Sequence, residues 1–170
     1  MAEYWDVYDK NGKKKNKIIR KGISLKKGEY HLVVEAWIRK SQDQFLLQKR
    51  SKNKRLFPNM WYSSVGGSVL AGEDPRDAII RESKEEIDLD ISDAVIRLKR
   101  IIVDEYCIFY IYLVDKIFEL DKLNLQTEEV CDVRIANTDQ IKKLIEEDSM
   151  VELSYYPKFF KSIESIKFLG

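Results

Sequence analysis

Apolar residues along the chain recur at two spacings. Five segments carry near-continuous or alternating runs of β-branched and aromatic residues: YHLVVEAWIRK (30–40), FLLQKRS (45–51), VIRLKRIIVDEY (95–106), CIFYIYLVDKIF (107–118) and EVCDVRIAN (129–137). That composition and period predict strands. Two further strands are expected at the start, where YWDVYD (4–9) and NKIIRKG (16–22) flank an Asn-Gly hairpin signal. SQDQ (41–44) reads as a second hairpin turn, and WYSSVGG (61–67) as one short strand closing on two glycines. The spacing shifts to that of a helix from Pro75 to about Ile87 and again over TDQIKKLIEED (138–148), with Thr138 or Asp139 as N-cap. SYYPKFFKSIESIKFL (154–169) predicts a closing amphipathic helix over about 157–169. Helices lie between and after strands, with no repeat or linker. The pattern predicts one α/β domain over residues 1–170, a mixed sheet covered by helices on both faces, with an N-terminal β-hairpin over about 4–22.

Composition narrows the class. Lys plus Arg total 30 and Asp plus Glu 29, so no global bias toward nucleic acid or an anionic membrane exists. The basic runs KKKNK (13–17) and KRSKNKR (49–55) lack interleaved aromatics, which argues against a nucleic-acid groove. The longest apolar run, YCIFYIYLV (106–114), is too short to span a bilayer. The N-terminus shows no secretory pattern, and two cysteines, Cys107 and Cys131, make neither a disulfide framework nor a metal motif. A cytoplasmic protein with reduced thiols is expected.

Charge is concentrated in one place. Between Gly66 and Ile91 lie four glutamates and four aspartates. Like charges a helical turn apart destabilise a helix, so the segment needs an account. Asp74 is a good N-cap, Pro75 suits the first helical position, and Asp77 suits the positive helix end. At 3.6 residues per turn Glu82, Glu85 and Glu86 share one side with Ala78, while Ile79, Ile80 and Ile87 face a core. Three carboxylates within about one turn form a hard-oxygen cluster suited to Mg²⁺ or Mn²⁺. Gly66 and Gly67 allow close backbone approach and offer a carbonyl ligand. Arg81 lies within reach of Asp77 and Glu85 and can orient a carboxylate; Glu73 can brace the loop. A solvated helix face is the alternative for such a cluster.

The spacing of the whole stretch resembles the Nudix box: Gly67, five residues, Glu73, seven residues, Arg81-Glu82, then Glu85-Glu86 and the apolar Leu89, over residues 67–89. Six fixed matches at about 10% per residue type arise by chance about once in a million starting positions. Two positions depart from the pattern: Ser83 stands where an apolar residue is expected, and Asp88 replaces a helix-ending glycine, a conformation that Asp tolerates less comfortably. The resemblance implies an α/β/α sandwich that hydrolyses a nucleoside diphosphate linked to another moiety, with water attacking phosphorus. It implies that Glu82, Glu86 and the Gly67 carbonyl bind the principal metal. Glu85 would share a second ion or act as general base, and Arg81 would orient the glutamates. A further acid outside the box is sought at Glu129 or its neighbour Glu128, with Glu105 behind them. Lys49, Arg50 and Glu73 are candidate substrate-binding residues. Trp61 and Phe57 can stack on a base, or Trp61 can anchor the loop.

A second resemblance runs over about residues 4–135, through WDVYDKNG, YHLVVEAWI, LLQKRS and FPNMWYSSVGG, to isopentenyl-diphosphate isomerases and their hydrolase relatives. His31 matches an isomerase-type metal histidine. The cysteine and histidine those isomerases need after the tryptophan are Gly66 and Ser68 here, so the isomerase reading fails on the proton-transfer residue. A non-catalytic Nudix module would be expected to lose a box glutamate, and none is lost. The expected partner is a small diphosphate substrate. A homodimer through the aromatic C-terminal stretch is the alternative to packing that stretch on its own domain.

Overall fold

The computed structural model describes all 170 residues. The N-terminal hairpin consists of β1 (Tyr4–Tyr8) and β2 (Lys14–Arg20), paired antiparallel as a separate two-stranded sheet. Gly12, at φ 77°, supplies the left-handed step of its turn. The hairpin joins the domain where Tyr8 and Tyr30 exchange backbone hydrogen bonds of 2.8 and 2.9 Å.

The main sheet is built around β3 (His31–Ser41). Along one side of β3 runs β8 (Cys107–Asp115), parallel, and beyond it β7 (Val95–Asp104), antiparallel. Two strands share the other side. Val33–Ala36 pair with β6 (Val65–Ser68), and Arg39 and Ser41 pair with β4 (Gln44–Arg50). β4 also pairs with β5 (Trp61–Tyr62) and with β9 (Val130–Ala136). β4 thus diverges from β3, and the chain from Trp61 to Ser68 fills the gap. The single strand expected over WYSSVGG is for that reason broken in two. At the break Ser64 is fully buried, and its hydroxyl accepts from Ile38 N–H (2.7 Å) and donates to the Leu46 carbonyl (2.5 Å). One side chain satisfies both diverging strands.

Alternation along β3 and β8 divides the core between two faces. Helix α1 (Pro75–Ile87) buries Ala78, Ile79 and Ile87 against Val34, Ala36, Ile38, Leu46 and Ile108. Helices α2 (Thr138–Glu146) and α3 (Tyr156–Ile163) cover the other face, where Ile141, Phe159 and Ile163 meet Trp37, Phe45, Leu47 and Ile111. Each large aliphatic side chain or phenylalanine among them contributes roughly 1.5–3 kcal/mol on burial. The expected mixed sheet flanked by helices, with its N-terminal hairpin, is therefore what the chain forms. No helix is long and apolar enough to cross a membrane.

Two helix ends differ from expectation. The N-cap of α2 is Asn137, one residue before the expected pair: its side chain accepts from Gln140 N–H, and the Gln140 side chain accepts from Asn137 N–H in return. Helix α3 stops at Ile163 rather than running to 169. The tail is drawn onto the sheet instead, since Ile166 O accepts from Arg39 Nη2 and Gln42 Nε2 and Leu169 N–H donates to Asp115. The aromatic residues Tyr155, Tyr156 and Phe159 are buried against the domain's own sheet.

Candidate functional site

Helix α1 starts as the sequence specifies, with Asp74 accepting from Arg76 N–H (2.8 Å) ahead of Pro75. Its end explains both departures from the box. Asp88 adopts the left-handed conformation at φ 57° and donates its N–H to Lys84 O (3.1 Å). Ser83 is fully buried, and its hydroxyl donates to Leu89 O (2.8 Å) while its carbonyl accepts Leu89 N–H (3.2 Å). The hydroxyl ties down the helix end that a glycine would otherwise close.

Arg81 is the hub of the acidic cluster. Its Nε and Nη2 grip the two oxygens of Glu73 at 2.8 and 2.9 Å. Nη1 donates to Glu82 (2.8 Å) and Glu85 (3.0 Å), and Nη2 also to Ser68 O (3.0 Å). Hydrogen bonding to Glu73 is the largest cause that raises the Arg81 pKa, followed by the charge of Glu82 against the opposing effect of burial. Burial alone would raise Glu73, but Arg81 and the Leu70 N–H (2.9 Å) hold it below the usual carboxylate range. Both Glu73 oxygens are thereby engaged in bracing the loop. Asp77 is not among the partners of Arg81.

Glu86 stands apart from the hub. It is 6% exposed and accepts only from Gln48 Nε2 (3.0 Å) and Gly66 N–H (3.3 Å), both neutral. Burial first, and the charge of Glu82 second, push its pKa up to about 8. Burial likewise raises Glu82 despite Arg81. Gly67 makes the approach of Glu82 to the backbone feasible: a Cβ there would collide with the Glu82 carboxylate. Ala78, expected on the side of the carboxylates, is instead fully buried in the core with Ile79 and Ile87.

The loop before β9 hangs from the end of α1. Asn124 N–H donates to Ile87 O (3.2 Å) and Gln126 N–H to Glu86 O (2.9 Å). This brings Glu129 close enough for its charge to act on Glu86. Glu129 is ion-paired with Lys54 from the β4–β5 loop. Glu128 points outward as an exposed turn residue, and Glu105 sits exposed in the β7–β8 turn, hydrogen-bonded only to Asp104 through its backbone. Lys49 lies over the Trp61 ring (5.8 Å), which Arg134 also approaches (5.4 Å). Arg50 lies over Tyr62 (5.4 Å) and donates to Leu56 O. Phe57 is exposed. His31 stacks on Trp5 at 3.8 Å, contacts Cys107 Sγ (3.2 Å), and is pushed down to about 4 by burial, so it is neutral at pH 7.

Three residues escaped the sequence reading. Gln48 carried a signal: a polar residue in the buried run FLLQ, in phase with Leu46 on the α1 face. Tyr62 and Lys54 carried none, because their partners Glu35 and Glu129 are distant in sequence.

No three His, Cys, Asp or Glu side chains stand close enough to form a finished metal cage, since Arg81 draws Glu82 and Glu85 to itself. The donor set still fits a small hard cation. Glu82 is half-buried and Glu86 buried, both are raised in pKa and close on a glycine backbone, and Glu86 has no cationic partner. Glu82, Glu85, Glu86 and the Gly67 carbonyl are the oxygen donors that could hold a divalent ion.

Residues 29–158 match the family model for the NUDIX domain. The chain is 35% identical over 159 residues, 94% of each chain, to an uncharacterized Nudix hydrolase of Listeria innocua. Over 63 residues, 37% of this chain and 35% of the other, it is 36% identical to an isopentenyl-diphosphate Delta-isomerase of Citrobacter koseri. Among solved structures it is similar to DR0079 from Deinococcus radiodurans, with a TM-score of 0.77 at 20% identity, covering 94% of this chain and 98% of that one. The chain belongs to the Nudix family. It is an enzyme of that family's hydrolase kind, a Nudix pyrophosphohydrolase; Nudix enzymes generally use divalent metal ions.

Proposed function

We propose that the chain hydrolyses the diphosphate linkage of a nucleoside diphosphate joined to a second moiety, using Mg²⁺, with Mn²⁺ as substitute, held by Glu82, Glu86 and the Gly67 carbonyl. The observation that carries this reading is Glu86: a buried carboxyl facing a second one, met only by neutral donors and pushed up to about 8. A divalent ion there supplies a Lewis acid that polarises phosphate oxygens and lowers the pKa of bound water.

The chain's own groups divide the remaining work. Arg81 keeps Glu82 and Glu85 turned toward the helix face, and Glu73 fixes Arg81. Gln48 and Gly66 N–H orient Glu86. Glu85, the most exposed acid of the three, is held by Arg81 through one oxygen, which leaves the other to take a proton from water. Glu129 serves as a second candidate base once released from Lys54, and Lys49 and Arg50 supply positive charge for substrate phosphates. Gly66 in place of the isomerase cysteine removes proton transfer to carbon.

The test is a substrate panel of nucleoside diphosphate sugars, dinucleoside polyphosphates, NADH, nucleoside triphosphates and isopentenyl diphosphate, each with Mg²⁺, Mn²⁺ or EDTA and scored by product chromatography. Metal-dependent cleavage of a diphosphate bond is expected. Cleavage undiminished in EDTA, or isomerisation of isopentenyl diphosphate, would overturn the reading.

A further inference from the structure

The N-terminal hairpin precedes the stretch that matches the family domain, yet it reaches the loop on which the acidic cluster depends. Asp6 on β1 is 6% exposed, and its Oδ2 accepts the Gly72 N–H (2.7 Å) and the Lys14 ammonium (2.8 Å). Tyr4 O, two residues earlier, accepts the Ala71 N–H (2.8 Å). Two successive amides of the loop are therefore anchored on one strand of the hairpin. The loop turns there, with Gly72 at φ 79°, Leu70 N–H donating to the Glu73 carboxylate (2.9 Å) and Glu73 N–H to Leu70 O (3.0 Å). Glu73, the next residue, holds Arg81 through both oxygens, and Arg81 holds Glu82 and Glu85.

We propose that Asp6 is a positioning residue for the metal site, through the chain Lys14, Asp6, Gly72, Glu73 and Arg81, so that the hairpin is a working part of the site. The proposal rests on the reading of the site as a divalent-metal centre. Its physical basis is that outer partners set the orientation of ligating carboxylates, and a ligand free to swing binds more weakly. A carboxylate is well suited to this role. One Asp6 oxygen serves Gly72 and is itself fixed by an ammonium, giving a charge-assisted bond to an amide that the turn would otherwise leave free to move. Asp6 lies below the usual carboxylate range although burial alone would raise it, because Lys14 and Gly72 N–H outweigh burial.

A control lies in the same hairpin. Lys17 pairs with Glu29 at 2.7 Å, away from the loop, so its loss perturbs the hairpin without touching Gly72. The experiment titrates Mn²⁺ into the full-length wild type, Asp6→Ala, Asp6→Asn and Lys17→Gln, reading free Mn²⁺ by electron paramagnetic resonance beside each variant's thermal melt. Loss of an outer partner typically weakens metal affinity about 10–100-fold, so Asp6→Ala is expected to bind Mn²⁺ roughly tenfold more weakly. Asp6→Asn keeps an acceptor for Gly72 but loses the charge assistance, and its expected loss is about threefold. Lys17→Gln is expected to bind as wild type at a similar cost in melting temperature. If Asp6→Ala does not fold, Asp6→Asn against Lys17→Gln carries the same comparison. Equal affinities in the Asp6 and Lys17 variants would overturn the brace and leave the metal site standing. A wild type that binds no Mn²⁺ would overturn the metal site itself, and the brace with it.

Discussion

Two buried ionic clusters lie in different parts of the sheet, and they are built to opposite specifications. Around Asp115, 1% exposed, every oxygen is engaged: Arg39 donates to both, at 2.5 and 3.2 Å, and Arg97 and Leu169 N–H add bonds of 2.9 and 3.0 Å. Burial alone would raise Asp115, but Arg39 and Arg97 hold it low. Glu86 is nearly as buried, has neutral donors only, and is pushed up to about 8. A carboxylate that serves the fold is fully compensated by the protein itself. One left under-compensated next to another acid costs stability, and that cost is tolerated where an ion or a proton completes the group.

The sharpest way to break the comparison is Glu86→Gln. The amide preserves shape and the partners Gln48 and Gly66, yet removes the only charge the group can offer. Turnover on any substrate found in the panel is expected to fall by about 10²–10³-fold, as when one preorganised electrostatic partner is lost, with the metal-free melt no lower than wild type. A variant that turns over normally would move Glu86 from the open class to the closed one. Arg39→Met makes the reverse test. It leaves buried Asp115 with Arg97 as its one cationic partner, and removing one partner of a buried pair costs about 3–5 kcal/mol. Urea unfolding should show that loss, while turnover per folded molecule stays near wild type. A drop in turnover without a drop in stability would show that the closed cluster serves the chemistry.

The two clusters also differ in how much of them the sequence reveals. The open one lies within a single stretch, Gly67 to Leu89, so spacing along one helix shows that Arg81, Glu82, Glu85 and Glu86 are neighbours. Its outer partners are less legible. Gln48, Lys54 and Asp6 come from a strand, a loop and the hairpin, and only the fold brings them in. The closed cluster joins residues 39, 97, 115 and 169, and no local pattern announces it. The fold itself was legible where hydrophobic period was strong, as in β3, β8 and α1. It failed where a tertiary bond overrode period: Ser64 breaks a strand by bonding two others, and the Arg39–Asp115 pair ends α3 by capturing the tail.

The smallest expected effect separates the clusters by pH. For Glu86 the folded pKa, about 8, lies above the usual value of 4.5, so between those values the native state binds a proton that the unfolded chain has released. The Glu86 contribution to stability without metal therefore falls as pH rises from 4.5 to about 8. For Asp115 the sign is opposite: its folded pKa is lowered, so its contribution is present above the unfolded value and is lost as pH falls through the folded one. Buried His31, pushed down from 6.5 to about 4, acts in the opposite direction to Glu86 below 6.5. Melting temperatures in EDTA should thus decline for wild type from pH 6.5 to about 8, by an amount corresponding to roughly 2 kcal/mol at about 1.4 kcal/mol per pH unit. Glu86→Gln should flatten that decline, with a remnant from Glu82 and Glu35, raised by burial in the same direction, while the opposing effect of His31 between about 4 and 6.5 is common to both proteins. Mg²⁺ should flatten the wild-type curve as well, because an ion that binds the ionised carboxyl stabilises the native state most where the bare carboxyl destabilises it. Parallel curves for wild type and Glu86→Gln would mean that Glu86 is compensated like Asp115, and the distinction between the two clusters would be lost.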